Sequence, residues 1–93
     1  MALLDLLGRR WALRILWELR HEDATLTFRE LQSRCGDASS SVVNDRLREL
    51  REAGIVQRVR SGGYRLTDHG RELCEPLGTL ETWSQRWARR QKI

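Results

Sequence analysis

The middle of the chain carries a dense series of helix and turn signals that few folds can satisfy. Thr27 can cap a helix and Glu30 can reach back to it, which is the reciprocal pattern called a capping box. That helix is expected to end near Gly36, because glycine suits the left-handed conformation of a helix stop. A second helix follows from its cap Ser39 to another glycine stop, Gly54. The sequence therefore predicts two short helices joined by a glycine-containing turn.

A β-hairpin is predicted directly after these helices. Residues 55–60 and 64–67 are β-branched or aromatic runs, and they flank the segment Ser61-Gly62-Gly63. Two consecutive glycines readily supply the positive φ angles that a tight primed turn demands. The hairpin therefore has a short glycine tip.

Longer helices are predicted on both sides of this unit. Apolar residues crowd at helical spacing from Leu3 to about Arg20, with an expected break near Gly8. From Thr67, the expected N-cap, to about Arg90 the chain predicts a helix about 35 Å long, at about 1.5 Å per residue. One small domain cannot cover a whole side of such a helix, so its apolar side is predicted to meet a second protomer. The residues concerned are Leu77, Leu80, Trp83 and Trp87.

Two short helices followed by a hairpin is the order of a winged helix-turn-helix. We predict a mostly α-helical chain with a small β-hairpin, an α+β fold forming one domain over residues 1–93. The helix-turn-helix occupies about 27–53, the wing about 55–67 and the C-terminal dimerisation helix about 68–90.

DNA contacts follow from this order, because the second helix of the pair enters the major groove and hairpin arginines touch phosphate or the adjacent minor groove. The predicted DNA-contacting residues are Arg29, Ser39, Ser40, Ser41, Asn44, Asp45, Arg46, Arg48, Arg58, Arg60 and Arg65.

Several of these residues have a second interpretation. The polar face of the second helix could be a solvated surface. Arg46 could pair with an acidic neighbour as readily as it could hold a phosphate, and the hairpin arginines could protect an exposed sheet edge.

The tryptophans also have two interpretations. Trp11, Trp17, Trp83 and Trp87 could form a ligand box, although their helical spacing favours a core or an interface.

Composition favours a polyanion partner over catalysis. The net charge is +4, and Lys92 is the only lysine among 17 basic residues. Cys35 and Cys74 lack metal-ligand spacing and are expected to be inert thiols, as in a cytoplasmic protein. No apolar run exceeds four residues, so no membrane contact is expected. We find no catalytic set and predict a non-enzyme with no metal, no cofactor and no identifiable effector.

A series of short motifs runs along nearly the whole chain. They are 7–11 (LGRRW) leading to 15–16 (IL), 28–31 (FREL), 46–50 (RLREL), 54–56 (GIV) and 64–70 (YRLTDHG). In this order they resemble the HxlR-type winged helix-turn-helix transcriptional regulators of the MarR-like superfamily. The resemblance implies a bacterial or archaeal dimeric transcription factor whose N-terminal and C-terminal helices form the dimer interface, which adds Leu3, Leu4 and Leu7 to the predicted interface.

The chain departs from this family in its recognition helix and in its hairpin. Relatives often have a basic residue where Ser41 stands and a neutral donor where Asp45 stands. From Ser39 to Ala53 three arginines face three acidic residues, Asp45, Glu49 and Glu52, so the recognition helix has no net charge. The hairpin tip is also shorter than in most relatives.

From the order of the elements and the resemblance together, we predict a sequence-specific double-stranded DNA-binding regulator, a repressor acting as a homodimer. The alternative is a winged helix that serves as a protein-protein interaction module with weak or no DNA binding.

Overall fold

A computed structural model describes residues 2–21 and 24–91, and it confirms the predicted α+β winged helix-turn-helix. Five helices and two antiparallel strands follow one another along the chain. They are α1 (Ala2–Leu7), α2 (Ala12–Glu18), α3 (Phe28–Arg34), α4 (Ser40–Glu52), β1 (Val56–Arg58), β2 (Tyr64–Leu66) and α5 (Asp68–Gln91).

The predicted caps and stops define α3 and α4. The Glu30 N–H donates to Thr27 Oγ1 at 3.1 Å, and the Thr27 N–H donates back to Glu30 Oε1 at 3.0 Å. This capping box lowers the pKa of the Glu30 carboxyl, chiefly through the backbone hydrogen bond from Thr27. Both helices end before a left-handed glycine, Gly36 at φ 66° and Gly54 at φ 75°.

The N-terminal helix breaks near Gly8, as predicted. The break leaves α1 and α2 joined by residues 8–11, and Trp11 adopts φ 76°, the only positive φ of a described non-glycine residue. Left-handed backbone is strained for a tryptophan, because its Cβ crowds the following carbonyl oxygen. The surrounding structure must therefore hold this turn.

The core lies beneath α2, which packs against α1, α3, α4 and α5. Its most deeply buried side chains come from α2, α3 and α4, where apolar residues recur at helical spacing. Leu6, Leu7, Phe28 and Leu77 pack against it while remaining partly exposed. The central residues are Ile15, Leu16, Leu19, Leu31, Val43, Leu47 and Leu50.

The hairpin gains a third backbone partner that sequence reasoning missed. Val56 pairs with Leu66 and Arg58 with Tyr64 in the antiparallel register. Leu26, just before α3, exchanges two hydrogen bonds with Tyr64, at 3.0 and 2.8 Å. The wing is thereby attached to the entrance of the helix-turn-helix.

The prediction of a primed turn at the hairpin tip is wrong. The Gly62 N–H donates to Val59 O at 2.9 Å, which closes a turn whose central residues, Arg60 and Ser61, both have negative φ. Gly62 alone is left-handed, at φ 94°, as in a type I turn followed by a glycine bulge. The paired strands are consequently shorter than predicted.

The long helix α5 is held against the domain at its first turn, and its remaining length projects from the domain. Thr67 caps it as predicted, since Thr67 Oγ1 accepts from the Gly70 N–H at 3.1 Å. Its 24 residues run through Pro76, and every residue from 78 to 91 is exposed. None of the helices in the described ranges has the length and apolar character needed to span a bilayer.

Replacing Gly70 with alanine is expected to destabilise the protein by about 1–3 kcal/mol or more. The added Cβ would overlap the Ile55 carbonyl oxygen and press on Leu66 Cδ2 at 3.1 Å. Urea unfolding followed by tryptophan fluorescence, at equal protein concentrations, measures the change. Gly78→Ala is the matched control, because no atom lies within 4 Å of a Cβ there. Equal stabilities for the two variants would contradict the close approach of α5 to Ile55.

Candidate nucleic-acid interface

The N-terminal end of α4 presents short hydrogen-bonding side chains to solvent. Ser39 Oγ accepts from the Val42 N–H at 3.2 Å, so this hydroxyl is engaged in capping the helix. Ser40, Ser41 and Asn44 are exposed and lie on the side of α4 away from the core. These three side chains, with Ser39 beneath them, make a surface that can approach base edges closely.

Asp45 and Arg48 form an open ion pair on the same face. Their closest atoms are 3.4 Å apart, and the side chains are 43% and 59% exposed. Such a pair contributes little to stability in water, because solvent screens it. Arg48 is therefore free to exchange its partner for a phosphate or a base.

A groove between α4 and β1 collects three arginines. Arg48 and Arg51 enter it from the helix and Arg58 from the strand, and the acidic residue in the lining is Glu52. Val56 and Gln57 complete its walls. The groove is therefore positively charged, although α4 by itself is neutral. Sequence reasoning missed Arg51, which its spacing of three residues from Arg48 could have indicated.

The hairpin arginines do not share one surface. Arg58 lies on the Tyr64 side, with its guanidinium carbon 5.9 Å from the ring centroid, whereas Arg65 pairs across the strands with Gln57. Successive strand residues point to opposite faces, so Arg58 and Arg65 face apart. Arg60 occupies the exposed turn at the tip. Arg58 is the hairpin arginine that joins the groove.

Of the two interpretations of Arg46, the geometry favours local pairing. Its side chain is 16% exposed, and Nε lies 2.8 Å from Glu49 Oε1. The N–H is not aligned for a hydrogen bond, so the contact is an ion pair. Arg29 is exposed in the first turn of α3 and lies outside the groove lining.

A separate apolar surface runs along α5, and one further exposed apolar side chain, Leu4, lies on α1. Leu4, Leu80, Trp83 and Trp87 are 63%, 55%, 52% and 49% exposed, and the two indoles stack with centroids 6.1 Å apart. A cleft lined by Leu13, Trp17, Leu77 and Leu80 extends this surface between α2 and α5. Leu3 is half-buried, while Leu7 and Leu77 are partly committed to the core of their own chain.

Among residues 2–21 and 24–91, no cluster of three or more His, Cys, Asp and Glu side chains could hold a metal ion.

Residues 6–92 match the family model of the HxlR-like helix-turn-helix. The chain belongs to the HxlR-like helix-turn-helix family. The resemblance seen in the sequence is thus confirmed, and the protein is a helix-turn-helix transcriptional regulator.

Relatives of this HxlR-like chain include the uncharacterized HTH-type transcriptional regulator YvaP of Bacillus subtilis (strain 168). The two are 32% identical over 90 residues, covering 89% of this chain and 81% of YvaP. Quinone-bound YodB of B. subtilis superimposes with a TM-score of 0.82 at 28% identity, covering 91% of this chain and 92% of YodB. A possible HxlR family transcriptional factor from Thermoplasma volcanium GSS1 reaches a TM-score of 0.73 at 25% identity, covering 92% and 84%.

The two cysteines of this HxlR-like protein are expected to react slowly with alkylating agents. Cys35 is buried and Cys74 half-buried, and in both cases burial raises the pKa of the thiol. The reactive thiolate is therefore scarcer than in a free thiol, whose pKa is about 8.5. Mass spectrometry after iodoacetamide treatment at pH about 8 measures the rate, with Cys74→Ser assigning the two sites. Both thiols should react fully once urea unfolds the chain, and rates equal to a free peptide thiol in the folded protein would contradict the prediction.

Proposed function

We propose that this protein is a cytoplasmic, homodimeric, sequence-specific double-stranded DNA-binding regulator that represses transcription by occluding promoters. The arginine groove between α4 and β1 carries the proposal. Three arginines against one glutamate give the recognition surface a positive charge that α4 lacks alone. Neutralisation of phosphates by such side chains supplies much of the affinity for DNA.

Each part of the surface suits a different contact. Ser40, Ser41 and Asn44 would meet base edges in the major groove, where an asparagine can bond bidentately to adenine. Asp45, once Arg48 turns to the DNA, could accept from a cytosine amino group. Ser39 would act through the cap that fixes the start of the helix.

Phosphate contacts would surround this reading surface. Arg48, Arg51 and Arg58, which line the groove, would contact the phosphates of a DNA strand lying along it. Arg60 at the wing tip, Arg65 on the other hairpin face and Arg29 at the start of α3 would reach phosphates further away. Arg46 is the weakest member of the predicted set, because Glu49 already holds it.

The apolar surface supports a homodimer. Leu80, Trp83 and Trp87 remain about half exposed on a helix that projects past the domain. Patches of this kind on a small protein mark interaction sites. The charge of α5 also changes along its length, from Glu72, Glu75 and Glu81 to Arg86, Arg89 and Arg90. Two copies of α5 packed antiparallel would bring opposite charges together.

In such a dimer the two recognition helices would enter successive major grooves of a pseudo-palindrome. The half-sites would lie about 34 Å apart, or a multiple of that distance. Occupying such a site at a promoter would exclude RNA polymerase, which is the repression proposed.

The alternative of a protein-protein interaction module is less well supported. It was favoured by the neutral recognition helix, but Arg58 of the wing completes a cationic groove beside α4. A surface that concentrates arginines around exposed serine and asparagine side chains fits a polyanion with readable edges better than a protein partner.

Asn44→Ala and Arg58→Gln are expected to weaken DNA binding in different ways. The first should reduce the preference for a duplex selected from a random library over a scrambled one by about five- to hundredfold, because a base contact is lost. The second should weaken both duplexes alike and lower the salt slope by about one, because a phosphate contact is lost. Fluorescence anisotropy at about 50 and 200 mM salt measures both effects.

Arg89→Gln is the matched control for Arg58→Gln, since it makes the same charge change on the distal part of α5. It should bind both duplexes as the wild type does. Equal losses for Asn44→Ala on selected and scrambled DNA would refute the base-reading role. No binding of the wild-type protein to any duplex at low salt would favour the protein-interaction module.

Leu80→Glu is expected to weaken dimerisation by at least about tenfold, since it would bury a charge in an apolar interface. Leu80 is 55% exposed, so the fold of the single chain should survive. Sedimentation velocity over a concentration series measures the association. Gln85→Glu introduces the same charge on the opposite side of α5 and should leave the dimer intact. A wild-type monomer, or an unaffected Leu80→Glu dimer, would refute this interface.

A further inference from the structure

A shielded carboxylate joins the recognition helix to the turn between α1 and α2. The Glu49 side chain on α4 is only 19% exposed, and its Oε2 lies 2.9 Å from Nε of Arg9 in that turn. Its Oε1 lies 2.8 Å from Nε of Arg46, and both of these atoms are screened from solvent. A carboxylate held between two guanidinium groups has little freedom to turn away.

The turn that contains Arg9 needs external support. Trp11 is left-handed at φ 76°, a conformation that a tryptophan keeps only where its surroundings hold it. A Cβ at Gly8 would lie 2.8 Å from the Leu4 carbonyl oxygen, so the chain is also tightly folded before Arg9. The Arg9–Glu49 ion pair connects this strained turn directly to α4.

This contact lies on the α1 side of the recognition helix. A cleft between α1 and the end of α4 is lined by Asp5, Leu6 and Arg9 together with Glu49 and Ala53. The arginine groove lies instead between α4 and β1. Glu52 lines both of these clefts, but Glu49 lines only the one beside α1, so Glu49 is not placed to read DNA through the groove. It can influence binding through the orientation of α4 and through its hold on Arg46.

We propose that Glu49 is a positioning residue that, together with Arg9, fixes the angle between the recognition helix and α1. The inference rests on the proposed function, because α1 carries Leu4 of the proposed dimer interface and α4 carries the base-reading side chains. If the angle between α1 and α4 is fixed in each protomer, the two recognition helices of the dimer are held at a single distance from each other. Loosening it should leave each helix able to read its half-site and widen the range of half-site spacings that the dimer accepts.

Two variants break the contact from opposite ends. Arg9→Gln removes the link between α4 and the turn and leaves the Arg46–Glu49 pair in place; the Arg9 side chain is 55% exposed, so folding should not suffer. Glu49→Gln removes both pairs. Arg89→Gln is the matched control, because it makes the same charge change on the distal part of α5, and Arg89 forms no ion pair within residues 2–21 and 24–91.

The DNA test uses a duplex selected by the wild-type protein, the same duplex with its half-sites about two base pairs further apart, and a single half-site. Wild type and Arg89→Gln should strongly prefer the selected spacing. Arg9→Gln should lose about two- to fivefold of that preference while binding the single half-site unchanged. Glu49→Gln should lose the same preference when each duplex is measured against its own half-site affinity, because this variant also releases Arg46. Full preference in Arg9→Gln, or an equal loss on the half-site, would overturn the proposal.

A second measurement needs no DNA. Amide hydrogen exchange at residues 8–12 should be faster in Arg9→Gln and Glu49→Gln than in Arg89→Gln, because the turn loses its support. Unchanged exchange would overturn the positioning role even if DNA binding behaves as proposed. If the wild type selects no duplex, the proposed function fails, whereas the exchange experiment still decides whether Glu49 holds the turn.

Discussion

The first turn of α5 is bound to the residues that directly follow the recognition helix. The Thr67 N–H donates to Ile55 O at 2.9 Å, and the Thr67 hydroxyl donates to Gly54 O at 2.6 Å. Gly70 lets the helix backbone approach Ile55 because it has no side chain. These contacts close the base of the hairpin, so β1, β2 and α5 all take their directions from the end of α4. The arginine groove and the projecting apolar side of α5 both depend on this junction.

Local ion pairing decides which arginines of α4 can exchange their acidic partner for a DNA phosphate. Arg46 and Arg48 each have an acidic partner three residues away on the same helix, yet the two pairs differ in solvent exposure. The Arg48 pair is open to water, where a phosphate can replace the carboxylate with little loss. The Arg46 pair is shielded, and breaking it would leave the screened Glu49 Oε1 without its cation, although Oε2 would still face Arg9. A count of charges along α4 cannot make this distinction, which is why a neutral helix can still present a cationic groove.

The sequence predicted the features that depend on neighbouring residues. The capping box at Thr27, the Ser39 cap and the Thr67 cap follow from local hydrogen bonding, and the stops of α3 and α4 follow from Gly36 and Gly54. It did not predict the features that join distant segments, such as the Leu26 bridge to the wing or the Arg9–Glu49 pair, because one sequence carries no signal of which side chains meet. The hairpin turn failed for a related reason, since Gly-Gly is compatible with several turn types and the neighbouring strands choose among them. Of the three arginines that line the groove, the sequence pointed to Arg48 and Arg58 and missed Arg51, because their grouping depends on how β1 packs against α4.

In the proposed dimer, the distance between the two recognition helices depends on how the α5 helices pack. A domain of this size buries about two-thirds of its unfolded surface, and half-exposed tryptophans on α5 add apolar surface that a second copy would cover. Because Thr67 and Gly70 fix the direction of α5 relative to α4, packing two α5 helices together also sets the distance between two recognition helices. The Arg9–Glu49 pair fixes the same helix from the α1 side. The separation of the two reading surfaces is then determined by contacts on both flanks of α4, and neither contact needs to touch DNA to govern which sites the dimer accepts.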